Sequence, residues 1–115
     1  MRRGAIHWVN LDPVVGSEAS KRRPAIIVSN DAANAVAERM NVGVITVVPL
    51  TSSVSSGYPF EVFVPASNSG LGRDSKAQAQ QVRAISFQRV GVEIGYLTPE
   101  LMNQVDEALR IHLGL

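Results

Sequence analysis

A cluster of charged residues near the N-terminus has the composition of a phosphate-binding loop. Residues 16–24 read Gly-Ser-Glu-Ala-Ser-Lys-Arg-Arg-Pro, and an apolar run at 25–28 follows directly. Arginine presents a planar fork of N–H donors that matches the oxygens of a phosphate group in pairs. A donor-rich loop anchored to a buried strand could therefore grip a phosphate. The same charges would also suit an ordinary solvated surface loop, and this stretch by itself does not separate the two interpretations.

Length and charge narrow the class of protein to which this loop belongs. The 115 residues, of which 45% are hydrophobic, predict a single domain over 1–115 with one compact core. The net charge of +1 gives no general basic surface. Residues 1–23 nevertheless hold five cations against two acids, whereas residues 93–115 hold four acids against one cation. An anionic ligand should therefore meet the N-terminal part of the chain.

Several kinds of site and location are disfavoured by composition. The chain contains no cysteine, which excludes disulfides and thiolate metal sites. His7 and His112 are too few and too far apart in sequence to suggest a metal site. No apolar stretch is long enough for a signal peptide or a membrane span. We therefore expect a cytoplasmic protein with no metal, no other cofactor and no membrane partner.

The hydrophobic pattern predicts a mainly β fold with short helices. Strands are predicted at 5–11, 25–29, 42–50, 60–64, 75–80 and 92–97. Helices are predicted at 32–39 and 99–113. The second helix has Thr98 as a good N-cap, Pro99 at its first position and apolar residues at helical spacing. Short strands followed by a terminal helix predict a small, strongly curved antiparallel sheet or open barrel.

Short motifs follow one another along nearly the whole chain. They are Arg-Arg-Gly at 2–4, Asn-Leu-Asp-Pro at 10–13, Gly-Ser-Glu at 16–18, Arg-Arg-Pro-Ala-Ile-Ile-Val-Ser-Asn-Asp at 22–31, Val-Pro-Leu-Thr-Ser at 48–52, Gly-Tyr-Pro-Phe-Glu-Val at 57–62, Asp-Ser at 74–75, Gln-Val-Arg-Ala-Ile at 81–85 and Val-Asp-Glu-Ala-Leu-Arg at 105–110. Each motif is weak alone. In this order, the set resembles the MazF/PemK/Kid toxins of bacterial type II toxin–antitoxin systems.

The resemblance implies a fold, an activity and partners. The fold would be the SH3-like barrel of plasmid-maintenance toxins (PemK/CcdB-like), with a C-terminal helix. The activity would be that of a sequence-specific endoribonuclease that cuts single-stranded mRNA without a metal, leaving a 2′,3′-cyclic phosphate and a 5′-hydroxyl. The protein would form a homodimer, and a cognate MazE-like antitoxin would lay an acidic C-terminal segment across the RNA groove.

Two other functions fit the same fold. A non-enzymatic toxin that binds DNA gyrase, as CcdB does, would act through a C-terminal Trp-Gly-Ile. This chain ends Leu-Gly-Leu, and its one tryptophan is Trp8, which argues against that alternative. An SH3-like module would recognise proline-rich ligands through an aromatic-lined groove. An aromatic content of 5% disfavours such a module.

The resemblance also implies three catalytic residues. Arg23 stands directly before Pro24, where the family has its catalytic arginine. As a permanently protonated group, it suits the binding of phosphate and the stabilisation of transition-state charge. Thr51 matches the active-site threonine, whose hydroxyl can bond the scissile phosphate, and Ser52 could assist. Glu18 matches an acidic position found in some members and could accept the 2′-hydroxyl proton, although an exposed loop carboxylate is an equal alternative.

RNA binding is expected to involve further residues of the same loop. Lys21 and Arg22 would attract the RNA backbone, with a contribution that falls as salt rises. We expect residues 14–22 to be mobile, because their small side chains offer little to pack.

Base recognition is expected from a later segment, where the chain departs from the family pattern. Family members commonly have an acid where Gln80 stands, and some have an arginine where Gln78 stands. Glutamine cannot act as a base at neutral pH. Gln78 and Gln80 are therefore predicted to read RNA bases by hydrogen bonding, with Tyr58 as a stacking partner.

Overall fold

The computed structural model describes residues 1–55 and 57–115 of the chain. These residues form seven strands and two α-helices: β1 (Ala5–Asn10), β2 (Arg22–Ile27), α1 (Asp31–Met40), β3 (Val44–Thr51), β4 (Glu61–Val64), β5 (Ser75–Gln78), β6 (Arg83–Ser86), β7 (Val90–Tyr96) and α2 (Pro99–Leu113). Single-turn 3₁₀ helices at Ala79–Gln81 and Phe87–Arg89 flank β6.

All the strand pairs are antiparallel within the described residues, and the strand order is β4-β5-β3-β2-β1-β7, with β6 also paired to β3. The first half of β3 pairs with β6, from Val44 to Val47. Its last two residues, Leu50 and Thr51, pair with β5. The mainly β fold with short helices and a C-terminal helix is therefore confirmed.

Both faces of the sheet are covered, which explains the near-continuous apolar run of β2. Ile26 and Val28 belong to a buried cluster that includes Val105 and Ala108 of α2. Ala25 and Ile27 point the other way, into a cluster that includes Ala37 of α1. Alternate residues of a strand face opposite sides of its sheet, so a strand buried on both faces must be apolar at every position.

Local sequence signals set the ends of both helices. The Asn30 side chain accepts a hydrogen bond of 2.8 Å from the Ala33 N–H and caps α1. Thr98 caps α2 by accepting a 3.2 Å bond from the Leu101 N–H. The predicted helix 99–113 is confirmed at both ends. Among the described residues, no helix is both long and apolar enough to cross a membrane.

The largest differences between the predicted and the observed strands concern β6 and β2. Strand β6 was not predicted, because four residues of mixed character carry little strand signal and β6 forms by pairing with β3. β2 begins at Arg22 rather than at Ala25, because its first residues pair with β1 from Asn10 opposite Arg22 onward. This extension places three of the loop's predicted site residues at or beside a strand end.

Candidate active site

A cavity of about 530 Å³ opens where β2 begins and β3 ends. Its cationic lining residues are Lys21, Arg22, Arg23 and Arg73. Its hydroxyl-bearing lining residues are Thr51, Ser52 and Ser75. Its larger apolar lining residues are Trp8, Pro24, Leu50, Leu71 and Ile94. A concave site with convergent cations and hydroxyls over an apolar base suits an anionic ligand that carries flat, partly apolar groups.

A proline at the start of β2 accounts for the opening between β2 and β3. The pairing of these strands runs from Ile27 opposite Val47 to Ala25 opposite Pro49, and it ends there. The next residue on β2 is Pro24, which would face Leu50 at a hydrogen-bonded position of this register and has no N–H to donate to the ladder. If the register continued, Arg23 would lie opposite Thr51. Because the ladder stops, these two side chains instead line one cavity.

Arg23 is held by its own loop. Its Nε donates a hydrogen bond of 2.8 Å to the carbonyl of Ser20. Its two Nη groups make no hydrogen bond within the described residues and remain available as donors. The guanidinium is therefore oriented before any ligand arrives, with the paired donors that a phosphate requires still unused.

Thr51 presents a hydroxyl at the end of β3. Its Oγ1 accepts a bond of 3.2 Å from the N–H of Ser53. A hydroxyl that accepts one hydrogen bond can still donate its own hydrogen. Ser52, the next residue, is exposed and lines the same cavity. The pair can therefore offer two short donors beside Arg23.

The two other cations of the loop are positioned by the backbone and by an indole ring. Lys21 has a left-handed φ of 68°, which is uncommon for a residue with a side chain. Its N–H donates to Asp12 Oδ1 at 2.8 Å, and its carbonyl accepts from the Leu11 N–H at 3.0 Å. The Arg22 guanidinium lies over the Trp8 ring, 5.2 Å from its centroid. Strand β1 therefore supports Arg22, and the two residues directly after it support Lys21.

Glu18 lies outside this cavity. Its carboxylate accepts a bond of 2.5 Å from the Val15 N–H, and its own N–H donates to the Val15 carbonyl at 3.3 Å. The side chain closes a turn within its loop, so its role as a proton acceptor stays a prediction. The same loop is better packed than expected, because Ala19 is only 8% exposed and joins the α1 side of the core.

The residues predicted to read bases lie apart from the cavity: Tyr58 precedes β4, Gln78 ends β5, and Gln80 lies in the 3₁₀ helix that follows. Tyr58 is 58% exposed and stacks on Phe60, with ring centroids 5.3 Å apart and planes 8° from parallel. Gln80 Nε2 donates a bond of 2.9 Å to Glu61 Oε2. The Oε1 atoms of Gln78 and Gln80 are buried without a hydrogen-bond partner among the described residues. Base reading by these glutamines stays a prediction that requires both side chains to move.

Glu61 is the carboxylate around which this second group is arranged. Its side chain is 4% exposed, and Lys76 Nζ lies 3.1 Å from its Oε1. Burial acts to raise the pKa of Glu61, but hydrogen bonds from Gln80, Lys76 and the Tyr58 backbone outweigh it and hold the pKa below its ordinary value. Glu61 and Lys76 also line a smaller cavity of about 260 Å³. An ionised, paired carboxylate stabilises this edge of the sheet and is poorly suited to accept a proton.

The sequence analysis missed three residues of the larger cavity, Trp8, Arg73 and Ser75. Trp8 was used only to judge the gyrase alternative. The Asp-Ser motif at 74–75 pointed to this segment, although it did not single out Arg73. Within the described residues, no group of three or more histidine, cysteine, aspartate or glutamate side chains could hold a metal ion.

Comparison with known proteins identifies the family. Residues 2–113 match the family described as "PemK-like, MazF-like toxin of type II toxin-antitoxin system". The chain belongs to this family. Among PemK-like and MazF-like proteins, it is 52% identical to "Endoribonuclease MazF9" of Mycobacterium tuberculosis (strain H37Rv) over 115 residues, which is 100% of this chain and 98% of that relative.

Solved structures of the family have the same fold. MazF from Deinococcus radiodurans is 29% identical with a TM-score of 0.83, covering 100% of this chain and 97% of that one. An endoribonuclease from a mycobacterial species, solved with its cognate antitoxin, is 25% identical with a TM-score of 0.76. That match covers 100% of this chain and 96% of the other. These relatives favour the endoribonuclease function over the gyrase-binding alternative.

Proposed function

We propose that this MazF-like toxin is an endoribonuclease that cleaves single-stranded mRNA at specific sequences without a metal. The observation that carries the proposal is the convergence of Arg23 and Thr51, from two different strands, on one cavity. The cations of that cavity match the charge of an RNA backbone, and its hydroxyls match single phosphate oxygens. The name of the mycobacterial relative, which is 52% identical, supports the same activity.

The proposed reaction is attack of a ribose 2′-oxygen on the adjacent phosphorus. A bond forms between O2′ and phosphorus, and the bond from phosphorus to the leaving O5′ breaks. The 2′-hydroxyl gives up its proton and the 5′-oxygen gains one, so the products are a 2′,3′-cyclic phosphate and a 5′-hydroxyl. The free Nη donors of Arg23 and the Thr51 hydroxyl would bind the phosphate oxygens as negative charge builds on them.

Glu18 is proposed as the acceptor of the 2′-hydroxyl proton. Its carboxylate would first have to leave the Val15 N–H, to which it is now bonded. Gly16, with a φ of 58°, lies within this turn and gives the backbone a residue that tolerates a rearrangement. RNA binding would supply the interactions that replace the lost turn.

The remaining residues are proposed to bind and select the RNA. Lys21 and Arg22 would contact the sugar–phosphate backbone, and Ser52 would support the scissile phosphate. Tyr58 presents an open ring face for base stacking. Gln78 and Gln80 would contact base edges after their side chains move from their present positions.

The proposed biological setting is that of a toxin–antitoxin pair in the cytoplasm. The family description names a type II toxin–antitoxin system, and one structural neighbour was solved with its cognate antitoxin. We propose that an acidic segment of a MazE-like antitoxin covers the cationic cavity and that the toxin works as a homodimer. Sedimentation equilibrium that shows only monomer at micromolar concentration would contradict the dimer.

A cleavage assay tests the activity directly. The purified protein is incubated with a long single-stranded RNA in EDTA, beside Arg23→Ala and beside Arg110→Ala as a control on the exposed face of α2. We expect discrete cuts, a rate about 10²–10³-fold lower for Arg23→Ala, and no change for Arg110→Ala. Primer extension across the cuts then reads the recognition sequence.

Two outcomes of the cleavage assay would contradict the proposal. Intact RNA with folded wild-type protein would exclude the proposed reaction. Equal cleavage by wild type and Arg23→Ala would exclude the proposed role of Arg23. A parallel assay of DNA gyrase supercoiling covers the alternative toxin activity, because inhibition there with intact RNA would support gyrase binding instead.

A further inference from the structure

A fourth cation lines the cavity from a separate segment of the chain. Arg22 and Arg23 begin β2 and Lys21 directly precedes it, whereas Arg73 comes from the loop between β4 and β5. The cavity therefore has guanidinium groups on two independently built walls. One guanidinium is enough to bind a single phosphate. Arg73 therefore provides positive charge for a part of the RNA backbone beyond the scissile phosphate.

The loop that carries Arg73 is rigidly built. The Ser69 hydroxyl, 2% exposed, donates to the Pro65 carbonyl at 2.8 Å and accepts from the Leu71 N–H at 3.3 Å. The loop then passes so close to β7 that a Cβ added to Gly70 would lie 2.3 Å from the Ile94 carbonyl oxygen. The next residue, Leu71, is 8% exposed and packs into the buried cluster that includes residues of α2. Arg73 therefore starts from a fixed backbone.

The Arg73 side chain itself is uncommitted. It is exposed and makes no hydrogen bond or ion pair within the described residues. Among the described residues it makes no ion pair with the neighbouring Asp74, whose carboxylate accepts a bond of 2.8 Å from the Ala66 N–H. By contrast, Arg83 and Arg89 both donate to backbone carbonyls. A fixed backbone with a free guanidinium at a cavity is the arrangement expected of a ligand-binding arginine.

We propose that Arg73 binds the RNA phosphate next to the one that is cleaved, and so holds the strand in register across Arg23 and Thr51. This inference rests on the proposed endoribonuclease function. An RNA backbone contact of this kind acts on affinity and is indifferent to base sequence. Arg23 contributes to the chemical step, whereas Arg73 contributes to substrate binding.

Kinetics separate these two contributions. The kcat and KM of wild type, Arg73→Ala and Arg73→Lys are measured on a short RNA containing the cleavage sequence, with Arg39→Ala on α1 as the matched control. For Arg73→Ala we expect KM to rise roughly tenfold with kcat nearly unchanged, and the salt dependence of log kcat/KM to become shallower by about 0.7, the value for one single-strand phosphate. Arg73→Lys should restore part of the loss, and Arg39→Ala should match wild type.

A substituted RNA locates the contact. Each phosphate of the oligonucleotide is replaced in turn by a neutral methylphosphonate, and cleavage is compared between wild type and Arg73→Ala. We expect one phosphate adjacent to the cleaved one whose neutralisation weakens wild type but has no further effect on Arg73→Ala. If circular dichroism shows that Arg73→Ala does not fold, the same phosphate scan with Arg73→Gln tests the contact instead.

The outcomes distinguish this inference from the function on which it rests. Folded wild-type protein that leaves RNA intact refutes the proposed function itself. Wild-type cleavage together with Arg73→Ala kinetics equal to those of Arg39→Ala refutes only the role of Arg73. A loss confined to kcat, with KM unchanged, also refutes it, because it would place Arg73 in the chemical step.

Discussion

Gln81 Oε1 accepts a hydrogen bond of 2.9 Å from the N–H of Ala19, which is 62 positions earlier in the chain. The Nε2 of the same amide donates to the Ser17 carbonyl at 3.1 Å. One side chain therefore ties the loop that leads into Lys21–Arg23 to the turn after β5. The expectation of a loop with little to pack is wrong for Ala19, whose methyl group is buried. Mobility of the residues around Gly16 stays a prediction.

Replacing Gln81 should loosen this loop. Gln81→Leu removes both bonds, and we expect a loss of about 1–2 kcal/mol in the free energy of unfolding, together with faster exchange of the Ala19 amide and weaker RNA cleavage. Gln88→Leu is the matched control, since Gln88 Nε2 makes a similar 2.7 Å bond to the Asn41 carbonyl away from the cavity. Unchanged Ala19 exchange in Gln81→Leu, measured by hydrogen exchange, would show that the bond does not hold the loop.

The Thr51 hydroxyl can be tested with an isosteric change. Thr51→Val keeps the shape of the side chain but removes the hydroxyl, and we expect kcat to fall by about 10²-fold if that group bonds the developing charge. Thr51→Ser should retain most of the activity. Thr46→Val, on the same strand β3 but outside the cavity, is the control. Equal kcat for Thr51→Val and Thr46→Val would show that the Thr51 hydroxyl does not contribute to catalysis.

Glu61 should make stability depend on pH in a defined direction. Its pKa in the folded protein lies below the ordinary value of 4.5. The stabilisation from ionised Glu61 is therefore complete above that value and is lost as pH falls through the lower, folded-state pKa. We expect Glu61→Gln to be destabilised relative to wild type at pH 7, by about 1.5–3 kcal/mol, and the difference to shrink in strong acid.

Denaturant unfolding at pH 7 and at acid pH measures that difference. Glu107→Gln breaks an exposed ion pair with Arg110 on α2 and should change the free energy of unfolding by less than about 1 kcal/mol at pH 7. A difference between wild type and Glu61→Gln that grows as pH falls would contradict the assigned direction of the pKa.

The close crossing of the Arg73 loop over β7 predicts a strong effect at a small residue. A Cβ added to Gly95 would lie 2.0 Å from the Ser69 carbonyl oxygen, so Gly95→Ala must push the loop away. We expect a loss of about 1–3 kcal/mol in stability and a higher KM for RNA, measured by thermal unfolding and kinetics. Gly72→Ala is the control for stability, because nothing lies within 4 Å of its added Cβ. Similar stability for the two variants would mean that the crossing is not tight.

The candidate site was predictable in part. Arg23 and Thr51 were identified through motifs, and the structure brings both to one cavity. Glu18, predicted beside them, instead closes a turn with Val15, which no sequence motif reveals. Gln80, predicted to read RNA bases by hydrogen bonding, donates to Glu61 of β4 in the free protein, and its base reading stays a prediction. These differences arise from single hydrogen bonds whose partners lie in the fold and not in the motif.

The sequence by itself determined the family, the strand buried on both faces at 25–28 and the helix at 99–113. Those features depend on neighbouring residues: caps, apolar spacing and short motifs. Only the tertiary structure decided that β6 forms, that the β2–β3 ladder ends at Ala25 opposite Pro49 and that Arg73 lines the same cavity as Arg23. Each of these depends on which distant segments pair and where their ladder stops. Such long-range pairings depend on how the whole chain packs, and local sequence signals do not contain that information.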